Sequence, residues 1–161
     1  MALQHFCTFL LDSYLFGVPV PQVQEVIRFH DMTPVPLAPA AVEGLINLRG
    51  DIVLAIDLRR RLGLPRRAQG TLPINVVMRT DEGAVSLLVD EIGEVLEVSD
   101  SSFEAPPNTM HSTVRNLILG VYKLEDSLLH ALDIVNACQV PGTTEAMPAE
   151  RAPSGQAEAG P

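Results

Sequence analysis

The chain has 161 residues, 47% of them hydrophobic, with 20 acidic against 11 basic side chains and a formal net charge of −9. That is enough chain for one domain with a substantial core, and the acidic balance argues against nucleic acid as a default partner. No apolar run reaches membrane-spanning length, and Cys7 and Cys138 stand 131 residues apart without a CxxC or a paired histidine, so they read as small buried hydrophobes rather than as a disulfide or zinc site.

The chain begins MALQHFCTFLLDSYLFG. It has no basic leader and Asp12 interrupts its apolar run, so no signal peptide is expected and the expected location is the cytoplasm. Short apolar runs then alternate with turn signals. Strands are expected over 5–11, 14–20, 23–29, 44–48, 52–56, 74–78, 84–89, 92–98, 117–124 and 127–132. Turn formers separate them at Asp12-Ser13, Arg49-Gly50-Asp51, Asp81-Glu82-Gly83 and Glu125-Asp126. Many short strands at this spacing predict an all-β sandwich or barrel. Pro34, Pro36 and Pro39 stiffen one connection, and Pro106-Pro107 another. Two short helices are expected. Asp57 caps 58–62 before a stop at Gly63, and Asp133 caps 134–139. Residues 141–161 are rich in Ala, Pro, Gly and Glu, cannot pack a core, and are expected to be a disordered tail.

The chain repeats itself weakly. Gly44-Leu45, Leu48, Ile52-Val53 and Ala55-Ile56-Asp57-Leu58 realign 76 residues later with Gly120-Val121, Leu124, Leu128-Leu129 and Ala131-Leu132-Asp133-Ile134. Val23-Gln24-Glu25-Val26-Ile27 echoes Ile92-Gly93-Glu94-Val95-Leu96 at an offset of 69. Two similar β subdomains explain this, the first expected at roughly 14–70 and the second at roughly 71–140, with the N-terminal strand free to join the second. The copies differ at one exposed turn. Arg49-Gly50 in the first corresponds to Glu125-Asp126 in the second. Gly50 permits a positive φ, so a tight turn would hold the Arg49 guanidinium out for contact.

Charge is unevenly spread. Arg59, Arg60, Arg61, Arg66 and Arg67 are five of the eleven basic residues, whereas Asp81 to Glu104 holds eight acids and no base. Opposite surfaces of this kind suit oriented docking with protein partners, and equally they suit two solvated faces. The histidines His5, His30, His111 and His130 are scattered, with no nucleophile or metal partner beside them. No phosphate-cradling glycine motif is present. Asp57 and Asp133 look like a carboxylate pair for acid–base work, but their repeat equivalence places them in different subdomains, and helix capping accounts for both.

These residues are similar to a known family. The chain resembles the CheW-type coupling proteins of bacterial chemotaxis, which carry strand–NLRG–strand–DLR–short helix, as Asn47-Leu48-Arg49-Gly50 and Asp57-Leu58-Arg59 do here. Phe16-Gly17-Val18, Val23-Gln24-Glu25-Val26, the proline loop leading to Gly44, Leu88-Val89-Asp90-Glu91-Ile92 and Gly120-Val121 with Leu124 match in order over about residues 5–140. Leu54-Ala55, Ser86 and the basic Arg59-Arg60-Arg61 run depart from the usual pattern. The resemblance implies an all-β fold of two five-stranded SH3-like barrels. It implies a non-enzymatic adaptor, without cofactor or metal, that links a methyl-accepting chemoreceptor's cytoplasmic tip to a CheA-type histidine kinase. It implies receptor contacts at Arg49, Glu25, Asn47, Gly50, Val23 and Val85, with Glu25 close enough to Arg49 to pair with it and the receptor hairpin in the groove between barrels. Kinase contacts are implied at Gly44, Ile74, Ile92 and Val95.

Taken singly, each apolar strand position among these is more simply a packing residue, and Glu25 a surface glutamate. The resemblance lifts them as a group. The rival reading is a β-barrel nucleic-acid binder using the Arg59–Arg67 cluster, which lacks interleaved aromatics.

Overall fold

The computed structural model describes residues 2–139. The chain runs β1 (Leu3–Leu11), β2 (Tyr14–Pro19), β3 (Val23–Ile27), β4 (Val42–Leu48), β5 (Asp51–Asp57), α1 (Leu58–Arg61), β6 (Ile74–Thr80), β7 (Gly83–Val89), β8 (Glu91–Ser99), β9 (Phe103–Glu104), α2 (Ser112–Arg115), β10 (Ile118–Lys123), β11 (Leu128–Leu132) and α3 (Ile134–Cys138). Each of the ten expected strands is present. Both expected helices are one turn long and capped as anticipated, by Asp57 accepting from the Arg59 N–H and Asp133 from the Asn136 N–H. The two-residue β9 and the single turn α2 were not anticipated. His111 caps α2 by accepting the Thr113 N–H at Nδ1, at 3.1 Å. Histidine is outside the usual set of N-cap residues, so the sequence carried no signal for it.

The strands form two sheets, ordered β3-β6-β7-β5-β4 and β8-β1-β2-β11-β10-β9. The first has five strands, and the second has a sixth through the short β9. Apart from β9 the orders are identical, with β8, β1, β2, β11 and β10 standing for β3, β6, β7, β5 and β4. The repeat extends to backbone detail. Gly44 faces Ala55 after a register shift following Val42, and Gly120 faces Ala131 after one following Ile118. The Asp57 N–H donates to the Ala41 carbonyl and the Asp133 N–H to that of Leu117, both at 2.8 Å. The repeated glycines share a cause as well. A Cβ on Gly44 would lie 2.8 Å from the Thr33 carbonyl oxygen, and one on Gly120 would lie 2.5 Å from that of Glu104.

Strand membership divides the chain differently from the expected boundary near residue 70. The first sheet takes β3 to β7. The second takes β8 to β11 together with the whole β1–β2 hairpin, not the N-terminal strand alone. Each half therefore borrows a hairpin from the other repeat. The borrowed hairpins are seated by two parallel pairings, β5 with β7 and β11 with β2. The physical reason is that a strand edge offers the same backbone donors and acceptors to any strand. Sequence order alone cannot say which hairpin fills it. The expected tail at 141–161 lies outside the described residues.

Three cores hold this together. One is shared between the sheets: Phe9, Leu11, Phe16 and Val18 from the second meet Ile56, Val76, Met78, Leu87 and Val89 from the first, with the helix-opening Leu58 and Ile134. Each sheet also has a private core, Ile46, Leu48, Val53 and Val77 in one, and Phe6, Val98, Tyr122, Leu129 and Ala131 in the other. At roughly 1.5–3 kcal/mol per large buried side chain, the shared core alone is enough to keep the halves joined. Cys7 and Cys138 are free and pack partly buried against that core. Burial pushes the Cys138 thiol up to about 12.

Candidate functional site

Leu48 pairs with Asp51, so Arg49 and Gly50 are the two central residues of the β4–β5 turn. Both have positive φ, 53° and 94°. That is the primed turn a right-twisted hairpin requires. The surprise is Arg49, since a left-handed conformation costs a non-glycine residue roughly 1–2 kcal/mol. Asn47 steadies the turn by accepting the Gly50 N–H at Oδ1, at 2.9 Å. Arg49 donates to the carboxylate of Glu25 on β3, at the far edge of the same sheet. Glu25 is only 22% exposed and Arg49 is 69% exposed. The carboxylate is thus held by the protein while most of the guanidinium remains in solvent. Four of the six residues expected at the receptor contact therefore come together: Glu25, Asn47, Arg49 and Gly50.

Gln24, Asp51, Ile52, Gly83 and Ala84 line a cleft of about 380 Å³ beside this turn. A second opening, a groove of about 500 Å³, runs between the β6–β7 turn and α3. Val85 forms one wall, and Ile134, Val135 and Cys138 form the other. Ala84 lines the cleft and its β7 neighbour Val85 lines the groove. Successive strand residues point to opposite faces. Ala84 packs on the private core of the first sheet and Val85 on the shared core, so the two openings lie on opposite faces of β7. The groove joins elements of the two sheets, as an inter-barrel site must.

The remaining expected site residues are distributed differently. Val23 and Ile74 are half-buried and pack against the shared core, as Val85 also does. Gly44 is buried beneath Thr33 and Met32. Ile92 and Val95 stand apart from the Arg49 turn, 41% and 58% exposed on β8, an edge strand of the other sheet.

The Arg59–Arg67 cluster is not a solvated basic face. Arg59 is buried and forks onto Asp90, with Nε donating to Oδ1 at 2.9 Å and an Nη to Oδ2 at 2.6 Å. It also reaches Asp12 at 2.5 Å and the Pro65 carbonyl at 2.7 Å. Arg67 donates to Asp90 at 3.0 Å and to Asp57 at 3.4 Å. Arg61 turns to the end of α3, donating to the carbonyls of Asn136 and Ala137. Three of the five arginines are thus consumed inside the molecule, which removes the basis for the nucleic-acid reading.

These pairings shift titration. The Asp90 hydrogen bond, against burial, holds the Arg59 guanidinium well above its ordinary value. Burial alone would raise the Asp90 carboxyl, but hydrogen bonds from Arg59, the Asp12 N–H and Arg67 together hold it below the usual carboxylate range. Burial lowers Arg61. This network escaped the sequence reading. A signal was present in the acids at the ends of two apolar runs, Asp12 after β1 and Asp90 after β7, which a buried strand end leaves in need of partners.

The CheW-like domain family matches residues 5–139. The chain is 31% identical to the chemotaxis protein CheW of Treponema pallidum, over 79% of this chain and 77% of that protein. It is 30% identical to the CheW of Rhizobium meliloti, over 78% and 81%. Among solved structures, the scaffolding protein TtCheW of Thermoanaerobacter tengcongensis superposes with a TM-score of 0.78 at 27% identity, covering 88% of this chain and 97% of that one.

Proposed function

The chain belongs to the CheW-like family, and on that premise we propose that it is a non-enzymatic cytoplasmic adaptor coupling a methyl-accepting chemoreceptor to a CheA-type histidine kinase. The observation that carries this reading is the Arg49 turn. A strained, pinned hairpin presents a guanidinium whose carboxylate partner is more buried than it is, at the mouth of a cleft in the first sheet. Such a turn offers a charge in a fixed orientation, which suits selection of a partner rather than chemistry.

A receptor tip is a helical hairpin, and an amphipathic helix laid in a groove places apolar side chains at i, i+3, i+4 and i+7 spacing. Val85, Ile134 and Val135 offer the apolar walls for that, while Arg49 lines the separate cleft beside the β4–β5 turn. The kinase side falls to the exposed Ile92 and Val95 on edge strand β8. There, strand addition or face packing by a β domain satisfies open backbone groups. An adaptor of this kind works by holding two partners in one geometry and shifting their populations. Among the described residues no cluster of His, Cys, Asp and Glu is arranged to hold a metal, and none of the helices is long and apolar enough to cross a membrane.

The test is reconstitution of a receptor tip, a CheA-type kinase and this chain. Arg49→Ala is expected to keep the fold and the kinase interaction while losing receptor pull-down and receptor control of kinase activity. A folded Arg49→Ala that couples normally overturns the assignment.

A further inference from the structure

The two repeats leave two pseudo-equivalent junctions between the sheets. Each is built from a one-turn helix, whose first residue enters the shared core, and the turn of the borrowed hairpin facing it. At the first junction Arg59, the second residue of α1, meets Asp12 of the β1–β2 turn and Asp90 at the β7–β8 link. The offset of 76 places Val135 of α3 at the position of Arg59. The offset of 69 places Asp81 of the β6–β7 turn at that of Asp12, and Pro21 at that of Asp90. The counterparts of the Arg59 guanidinium and of one carboxylate are thus missing from the second junction, where Arg79 of β6 instead donates to the Pro21 carbonyl at 3.5 Å. That junction is the open groove of about 500 Å³, with Val135 67% exposed on its wall.

We propose that the Arg59–Asp12–Asp90 cluster is a positioning clamp that closes one of the two equivalent junctions and so sets the width of the other, the groove. The shared core between the junctions is apolar and its attraction is non-directional. Burial alone therefore fixes that the sheets meet, while the angle at which they meet is only loosely held. The bidentate fork onto Asp90 is directional and mostly shielded from water, with the Arg59 side chain only 10% exposed. It ties α1 of the first half to the link between the halves, and its Asp12 arm ties in the borrowed hairpin of the second. Arg67 braces the same carboxylate from the loop after α1. Because α1 and α3 open with Leu58 and Ile134, both anchored in the shared core, releasing the clamp lets the halves rock about that core, and the groove opens or narrows in response.

The clamp itself rests on geometry, and only its consequence for binding rests on the receptor reading. The test places spin labels across the groove of the full chain through Glu82→Cys and Val135→Cys, in a Cys7→Ala, Cys138→Ala background. Label-to-label distances are then measured with Arg59 intact, with Arg59→Lys and with Arg59→Ala. Arg59→Ala is expected to broaden the distribution and shift its mean by about 2 Å or more, the scale of a real rearrangement. Arg59→Lys keeps the charge but not the fork and should fall between. If Arg59→Ala does not fold, Asp12→Asn removes one arm and should broaden the distribution less. An unchanged distribution in a folded Arg59→Ala or Asp12→Asn, with only a lower melting temperature, overturns the clamp. Receptor-tip binding is measured on the same proteins. A changed groove width with unchanged binding leaves the clamp standing and instead removes the groove as the receptor site.

Discussion

Arg49 and Glu25 lie at opposite edges of one five-stranded sheet, Arg49 at the tip of β4 and Glu25 on β3, yet their side chains form an ion pair. They meet because the sheet curls until its edges approach. The pair is exposed on the arginine side, where ion pairs contribute only about 0–1 kcal/mol. Arg49→Ala should therefore move the urea midpoint little. Loss of a central contact residue at an interface costs on the order of 2 kcal/mol, so receptor affinity should fall roughly thirtyfold.

The positive φ of Arg49 separates function from stability. Glycine adopts this conformation without strain, so Arg49→Gly should be more stable than Arg49→Ala by about 1 kcal/mol. Both should lose receptor coupling alike. Denaturant midpoints beside pull-downs check this, and equal stability of the two variants would show that the turn relaxes once the arginine is gone.

Gly44 has no room for a side chain, because Thr33 bridges to Leu45 directly above it. Gly44→Ala should destabilise by about 1–3 kcal/mol through displacement of the proline loop. Any loss of kinase binding should track the fall in melting temperature. A variant of normal stability that no longer binds kinase would instead make Gly44 a direct contact.

Asp57 and Asp133 cap equivalent helices, but Asp57 is buried and also receives Arg67. Asp133→Ala should cost about 1 kcal/mol, the usual loss of a cap. Asp57→Ala should cost more, on the order of 2–3 kcal/mol, because it leaves Arg67 with one carboxylate fewer. Thermal melts of the two variants decide, and equal losses would mean that Arg67 is held by Asp90 alone.

Asp90 predicts a pH dependence. Its folded-state carboxyl is held below the ordinary range, whereas in the unfolded chain an aspartate titrates near about 3.9. As pH falls through that interval the unfolded state takes up the proton first, so stability present above about pH 4 is lost toward the lowered folded value. Asp90→Asn should be less stable at neutral pH, with a shallower loss between about pH 5 and pH 3. Urea midpoints across that range test it, and parallel curves would exclude Asp90 as the titrating group.

What the sequence determined by itself is local and periodic. Alternating apolar residues placed ten strands, Asp57 and Asp133 marked two helix starts, and an offset of 76 revealed a repeat that holds down to single backbone hydrogen bonds. Arg49-Gly50 was legible as a turn because glycine there has a local conformational cause. Tertiary structure alone decided the rest. It assigned the β1–β2 and β6–β7 hairpins to the other repeat's sheet, since strand edges offer identical backbone groups to every partner. It supplied the physical cause of the Glu25–Arg49 pairing that the resemblance had implied, a sheet curled across 24 residues of chain. It also turned Arg59 from one charge in a basic run into a buried fork on Asp90, because an arginine's charge reads the same in sequence whether water or a carboxylate surrounds it.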